Sequence, residues 1–105
     1  MQTISPEALK KRIEDGNTPL LLDVREQWEY DICHLGDSLN IPMSCFLKRI
    51  DELDQAAETV VICHHGMRSL QVAQYLENLG FNNVINLEGG VDAWARFVEP
   101  GMPQY

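Results

Sequence analysis

Three short apolar segments constrain the fold of this chain more than any other feature of its sequence. They are LLLDV at residues 20–24, TVVI at residues 59–62 and VINL at residues 84–87. Apolar runs of this length are typical of strands that are buried on both faces, as in a parallel sheet covered by helices. A fourth short strand is expected at residues 38–41, where Pro42 ends it.

Helix signals separate these strands. Ser5 is a good N-cap, Pro6 suits the first helical position, and Gly16 is a plausible stop for the helix between them. Three more helices are predicted from apolar residues at helical spacing. Their apolar faces are Phe46, Leu47, Ile50 and Leu53 in the first, Val72, Ala73, Leu76 and Leu79 in the second, and Val91, Trp94, Ala95 and Val98 in the third.

This alternation of strands and helices determines the fold class that we predict. Strands that alternate with helices of this length pair in parallel through right-handed crossovers. We therefore expect an α/β domain with a central, mostly parallel sheet and helices on both faces. The chain has 105 residues, which is enough for one compact domain, so we assign residues 1–105 to a single domain.

Charge and composition exclude several partners. The net charge of −8 argues against nucleic acid, because affinity for phosphate backbones comes mostly from Lys and Arg. The longest aliphatic run, at residues 20–22, is far too short to cross a membrane, and the first residues lack the pattern of a signal peptide. We expect a cytoplasmic protein whose three cysteines stay reduced, since three cannot all pair within one chain.

The loop after the TVVI strand carries the strongest chemical signal. It contains Cys63, His64, His65, Gly66, Met67 and Arg68, and the next predicted helix follows it. Ligands bind beyond the carboxyl ends of parallel strands, where such loops gather. A loop that wraps around a helix N-terminus directs amide N–H groups inward, which binds anions and favours the thiolate form of a cysteine. We predict that Cys63 is a nucleophile, that Gly66 lets the loop curl, and that Arg68 contacts an anion.

Other polar residues have simpler interpretations. Asp23 and Arg25 are expected to form an ion pair that holds a turn, and the helical spacing of Trp94 places it in the core. Cys33 and Cys45 are expected to be structural or incidental thiols, with a resolving role for Cys33 as the alternative. Neighbouring histidines should point in different directions, with at least one exposed. A metal site formed by Cys33, His34, Cys63 and His65 is disfavoured because adjacent histidines converge poorly.

Three motifs together resemble the rhodanese family of sulfurtransferases. The loop at residues 63–68 is similar to the six-residue active-site loop of that family. Residues 23–26 (DVRE), Glu29-Tyr30 and residues 34–42 resemble its first signature region, and residues 89–94 (GGVDAW) resemble its second. The motifs occur in the family's order and cover almost the whole chain, so the resemblance is specific.

The resemblance implies the transfer of a sulfane sulfur atom. The Cys63 thiolate would take the outer sulfur of a small sulfur-containing anion such as thiosulfate and hold it as a persulfide. Cyanide, a small thiol or a thiol protein would then accept the sulfur. The residues implied to bind the donor are His64, His65, Gly66, Met67 and Arg68. Neither a metal nor an organic cofactor is implied.

The chain departs from the family pattern at two places. Where the family reads G-H-I-P-G-A, this chain has CHLGDS at residues 33–38. Asp37 can adopt the left-handed conformation that such a turn needs, so we expect the turn to persist in altered form. The loop also carries His64, His65 and Met67, and neutral histidine attracts anions less well than arginine does.

Two other functions remain open. A cysteine-based phosphatase or arsenate reductase also uses a cysteine, an amide-lined loop and an arginine, but it has five residues between Cys and Arg. Here only four residues intervene, His64 to Met67, which favours a tighter loop. The second alternative is a sulfur-carrier or binding module that passes persulfide sulfur between proteins with little turnover of small molecules.

Overall fold

A computed structural model describes residues 2–105 of the chain and contains one five-stranded, fully parallel sheet. The strands are β1 (Gln2–Ile4), β2 (Leu20–Asp23), β3 (Leu39–Asn40), β4 (Thr59–Ile62) and β5 (Val84–Leu87). Their order across the sheet is β1-β5-β4-β2-β3. The four predicted strands are confirmed. The fifth, β1, was not predicted, because three exposed or half-buried residues at a sheet edge show no apolar run.

The helices confirm most of the sequence signals. They are α1 (Pro6–Glu14), α2 (Gln27–Ile32), α3 (Phe46–Arg49), α4 (Met67–Asn78) and α5 (Gly90–Phe97). Ser5 caps α1 by accepting a hydrogen bond from the amide of Ala8 at 3.2 Å. The helix expected around Phe46 is shorter than its apolar spacing indicated, since 3-10 turns at Met43–Cys45 and Ile50–Glu52 flank α3. The remaining helix, α2, had no sequence signal because its only buried residue is Glu29.

Two apolar clusters cover the two faces of the sheet. Successive residues of β4 alternate between them: Val60 and Ile62 belong to one cluster, and Val61 to the other. The first cluster includes Leu9 of α1 and the buried side of α5, and the second includes Phe46 of α3 and the buried side of α4. The predicted arrangement, with helices on both faces of a parallel sheet, is therefore confirmed.

The carboxyl end of the sheet positions the candidate site. Arg25 lies two residues after the end of β2, and Cys63 follows β4 directly. These two strands are neighbours, so their following loops lie side by side. Asp37, with φ of 60°, has the predicted left-handed conformation in the turn before β3. No helix within residues 2–105 is long and apolar enough to cross a membrane.

Candidate active site

Cys63 lies at the bottom of a tight loop between β4 and α4. The residue is only 1% exposed, and the amide of Gly66 donates a hydrogen bond to its Sγ at 3.0 Å. Gly66 can make this turn because its φ is 100°, a conformation that other residues rarely adopt. The N-terminus of α4 begins at the next residue, so its dipole also favours negative charge near the loop. Cys63 thus lies in a loop between a strand and a helix N-terminus, as the sequence indicated, and one loop amide, that of Gly66, contacts its sulfur.

A polar network holds the cysteine sulfur from inside the protein. The Ser69 hydroxyl lies 3.3 Å from Sγ of Cys63 and donates a short hydrogen bond to Oδ1 of Asn86. The amide group of Asn86 in turn donates to the carbonyl oxygen of Gly66 at 3.3 Å. These three contacts connect β5, α4 and the loop. The sequence did not indicate Ser69 or Asn86, because single polar residues within buried elements have no motif of their own.

Helix α5 holds the other side of the loop. The amide of Val91 donates to the carbonyl of Cys63 at 2.8 Å, and the amide of Asp92 donates to the carbonyl of His64 at 3.0 Å. The approach requires glycine at position 90, where an added Cβ would lie 2.3 Å from the carbonyl oxygen of Cys63. The Gly89-Gly90 pair, identified as a turn signal, therefore also fixes the backbone of the active-site loop.

Arg68 forms a two-pronged ion pair with Glu29. Its two terminal nitrogens donate to the two carboxylate oxygens at 2.8 and 2.7 Å, and Glu29 is buried beneath it. The hydrogen bond from Arg68 lowers the pKa of Glu29 to about 2, against the opposing effect of burial. The same pair raises the pKa of Arg68. Arg68 was predicted to contact an anion, and part of its donor fork is already used by a carboxylate of the protein itself.

The lowered pKa of Glu29 predicts a stability loss in acid. Because its folded-state pKa lies below the ordinary 4.5, the carboxylate stabilises the fold above that pH, and this contribution is lost as the pH falls toward 2. The free energy of unfolding, measured in denaturant from about pH 6 to about pH 3, should fall more steeply for the wild type than for Glu29→Gln. Parallel pH profiles for the two proteins would contradict this account of the ion pair.

Tyr105 covers the site from outside. Its ring stacks on His64, with centroids 4.0 Å apart and an angle of 11° between the planes. Its hydroxyl accepts a hydrogen bond from Arg25 and donates one to Glu29, each at 3.0 Å. Burial, the largest effect, raises the pKa of Tyr105. Nothing in the sequence pattern pointed to this residue, since it lies 42 positions after Cys63, outside all three motifs.

The predicted ion pair between Asp23 and Arg25 is confirmed. Arg25 is fully buried, and its guanidinium donates to both carboxylate oxygens of Asp23, the shortest contact being 2.7 Å. It also donates to the carbonyl oxygen of Cys33 at 2.6 Å. The pair therefore ties the turn after β2 to the end of α2. Trp94 is buried in the core, as predicted.

The two loop histidines behave differently from each other. His65 is exposed, as expected for at least one of them, whereas burial is the main effect that lowers the pKa of His64. Their rings stack with centroids 4.0 Å apart, so the expectation that they point in different directions is wrong. His64, His65 and Asp92 have potential ligand atoms within 4.8 Å of one another, a different set from the disfavoured metal site.

The remaining cysteines lie in separate environments. Cys33 is buried in the apolar cluster against α1 and α5, with its Sγ 4.0 Å from a nitrogen of Arg25, whereas Cys63 belongs to the cluster on the opposite face. Cys45 is exposed, and all three are free thiols. The burial of Cys33 in this cluster favours the structural interpretation over a resolving role.

Comparisons with known proteins agree with the fold. The family model of the Rhodanese-like domain matches residues 5–97. A putative sulfurtransferase, YtwF of Bacillus subtilis, is 38% identical and covers 95% of this chain and 96% of its own length. The crystal structure of a rhodanese-related protein from Thermoplasma volcanium has a TM-score of 0.82 at 32% identity, with 98% of this chain and 96% of that chain covered.

Some relatives are much longer than this chain. The adenylyltransferase and sulfurtransferase uba4 of Ogataea parapolymorpha is 39% identical over 90% of this chain, but the match spans only 25% of the relative. What such a protein does as a whole therefore does not transfer to these 105 residues. The family assignment rests on the family model and on relatives of similar length that are named sulfurtransferases: the chain belongs to the family of Rhodanese-like domains.

Proposed function

We propose that this protein moves a sulfane sulfur from a donor such as thiosulfate to a thiophilic acceptor, through a persulfide on Cys63. The observation that carries the proposal is the hydrogen bond from the Gly66 amide to Sγ of Cys63, at 3.0 Å, in a loop between a strand and a helix N-terminus. An amide donor and a helix dipole both stabilise negative charge on sulfur. The nucleophile and the persulfide that follows are both anionic.

The reaction proceeds in two displacements at sulfur. The Cys63 thiolate attacks the outer sulfur of thiosulfate, a new S–S bond forms, and sulfite leaves with the electron pair of the broken bond. The acceptor, cyanide or a thiolate, then attacks the outer sulfur of the persulfide. The Cys63 thiolate leaves with its electron pair, so no external oxidant or reductant is consumed. Thiocyanate formation from thiosulfate and cyanide is the direct test.

The other loop residues would contact the donor. We assign to donor binding the five residues that follow Cys63 in the loop, which are His64, His65, Gly66, Met67 and Arg68. Gly66 contributes its amide. Arg68 contributes those N–H groups that Glu29 does not use, because a guanidinium has five donors and Glu29 accepts from two nitrogens. We place the reaction in the cytoplasm, where thiols such as Cys33 and Cys45 stay reduced.

Replacing Arg68 should weaken donor use without removing the nucleophile. Arg68→Ala should lower kcat/KM for the donor about 10–100-fold, as expected for one charge-assisted contact worth roughly 1.5–3 kcal/mol. The measurement is the rate of thiocyanate formation at varied donor concentration. Arg12→Ala is the control, because it also removes the arginine of an arginine–glutamate ion pair. That pair joins Arg12 of α1 to Glu58. Equal values of kcat/KM for the two variants would show that Arg68 does not contact the donor.

A carrier function is the second candidate. Two large apolar side chains are exposed next to the site. Trp28 is 61% exposed and contacts Tyr105. Met67, the first residue of α4, is 69% exposed. Exposed apolar residues of this size are suited to contact with another protein. Slow thiocyanate formation, together with rapid transfer of sulfur to a thiol protein, would favour the carrier over the enzyme.

A further inference from the structure

Three potential metal ligands converge beside the cysteine loop. His64 and His65 follow Cys63 in the loop, and Asp92 lies in the first turn of α5. One ligand atom from each of the three side chains lies within 4.8 Å of the other two. Imidazole nitrogens and carboxylate oxygens are ligands that proteins use for Zn²⁺ and for other divalent transition metals. This group includes no thiol, which separates it from the metal site that the sequence disfavoured.

Backbone and ring contacts hold these ligands in place. The amide of Asp92 donates to the carbonyl of His64 at 3.0 Å, which fastens the start of α5 to the loop. The ring of His64 stacks on Tyr105 and on His65, with centroids 4.0 Å apart in both pairs. Within residues 2–105, no group of the protein forms a hydrogen bond with the His64 ring. Its nitrogens are therefore available to an ion.

The charges around Asp92 also suit a cation. Its Oδ2 lies 3.8 Å from Nδ1 of His65 and 3.4 Å from Nε of Arg96. The Arg96 side chain is 63% exposed, and exposed ion pairs of this kind contribute little, so a divalent ion can displace it. The other cation near the loop, Arg68, is compensated by Glu29. The net charge of −8 on the chain adds a general attraction for cations.

Small side-chain rotations complete the coordination geometry. Zinc binds imidazole nitrogens and carboxylate oxygens at about 2.0–2.2 Å, which places neighbouring ligands of a tetrahedral site about 3.4 Å apart. The three ligand atoms therefore need to approach one another by at most about 1.4 Å. The side chain of His65 is exposed and can turn toward the other two, whereas stacking and the backbone already fix His64.

From these observations we propose that His64, His65 and Asp92 bind a divalent transition-metal ion, with Zn²⁺ as its representative and water at the fourth position. The ion would join the active-site loop to α5 through side chains, where the Asp92 amide already joins them through the backbone. The proposal goes beyond sulfur transfer and does not depend on it, because metal binding can be measured without any sulfur donor.

The test is a calorimetric titration of the full chain with Zn²⁺, repeated on Asp92→Asn and His65→Ala. We expect the wild type to bind one ion per chain. Each variant should bind at least about tenfold more weakly, because even the loss of a residue that only supports a metal ligand typically costs 10–100-fold in affinity. The melting temperature of each variant without metal shows whether it is folded. A wild type that binds no Zn²⁺, or folded variants that bind it as tightly as the wild type, would overturn the proposal.

Two matched variants and a spectroscopic probe exclude other zinc sites. His34→Ala removes an exposed histidine that also stacks on an aromatic ring, and Glu52→Gln removes an exposed carboxylate that also pairs with an arginine. Both should bind Zn²⁺ as the wild type does. Co²⁺ in place of Zn²⁺ should give an absorption spectrum without a thiolate charge-transfer band. Such a band, or weakened binding in either matched variant, would assign the metal to other ligands and overturn the proposal.

Discussion

Cys63→Ser should abolish sulfur transfer while leaving the fold intact. Serine is similar in size to cysteine, and its hydroxyl can still accept a hydrogen bond from the Gly66 amide, as Sγ does at 3.0 Å. An alcohol, however, cannot form the S–S bond that stores the transferred atom. We expect the rate of thiocyanate formation to fall about 10³-fold or more, as is usual when a covalent nucleophile is removed.

The other two cysteines provide the matched controls for this variant. Cys45→Ser changes an exposed thiol, and Cys33→Ser changes a buried thiol in the cluster on the other face of the sheet. Both should retain transfer within a few-fold of the wild-type rate. If Cys63→Ser stays active while Cys33→Ser does not, the nucleophile has been assigned to the wrong residue.

Gly90→Ala should be the most damaging substitution outside the nucleophile. The added Cβ would lie 2.3 Å from the carbonyl oxygen of Cys63 and 2.6 Å from that of His64, in a residue whose φ is 61°. Backbone atoms cannot move aside as a flexible side chain can. Overlap and left-handed strain together should cost about 3 kcal/mol, which lowers Tm by roughly 10–20 °C in a domain of this size.

The matched control for Gly90→Ala separates strain from overlap. Gly16 also has a positive φ, 76°, but an added Cβ there would meet nothing within 4 Å. Gly16→Ala should therefore cost only about 1–2 kcal/mol and should leave transfer unchanged. Calorimetry and thiocyanate formation, measured on both variants, give the comparison. If both variants lose equal stability, the close approach of α5 to the active-site loop is not what requires glycine at position 90.

The fold was largely predictable because its signals are local. The strands β2, β4 and β5 are short apolar runs, and α1 has its own cap and proline. The elements that were missed, β1 and α2, bury little apolar surface of their own. They are stabilised by tertiary contacts: β1 by pairing with β5, and α2 by the ion pair of Glu29. Local pattern cannot report contacts between residues that are far apart in sequence.

The same reasoning explains which parts of the site were predictable. The loop from Cys63 to Arg68 is contiguous, so its chemistry could be read in one place. Glu29 lies 39 positions before Arg68, with which it pairs, and Tyr105 lies 41 positions after His64, on which it stacks, so both reach the loop only through the fold. Their contribution is electrostatic as well as structural, because Glu29 compensates the charge that the sequence assigned to an anionic donor. The sequence therefore predicted the position of the cysteine loop but not the charge balance around it.

The most direct test of the central claim is the mass of the intact protein after exposure to a sulfur donor. Thiosulfate and cysteine persulfide are each added to the wild type and to Cys63→Ser, and excess donor is removed. The account predicts that the wild type gains one sulfur atom with at least one donor, that cyanide removes it, and that Cys63→Ser gains none. A sulfur atom that appears equally on Cys63→Ser, or no gain with either donor, would contradict a persulfide carried by Cys63.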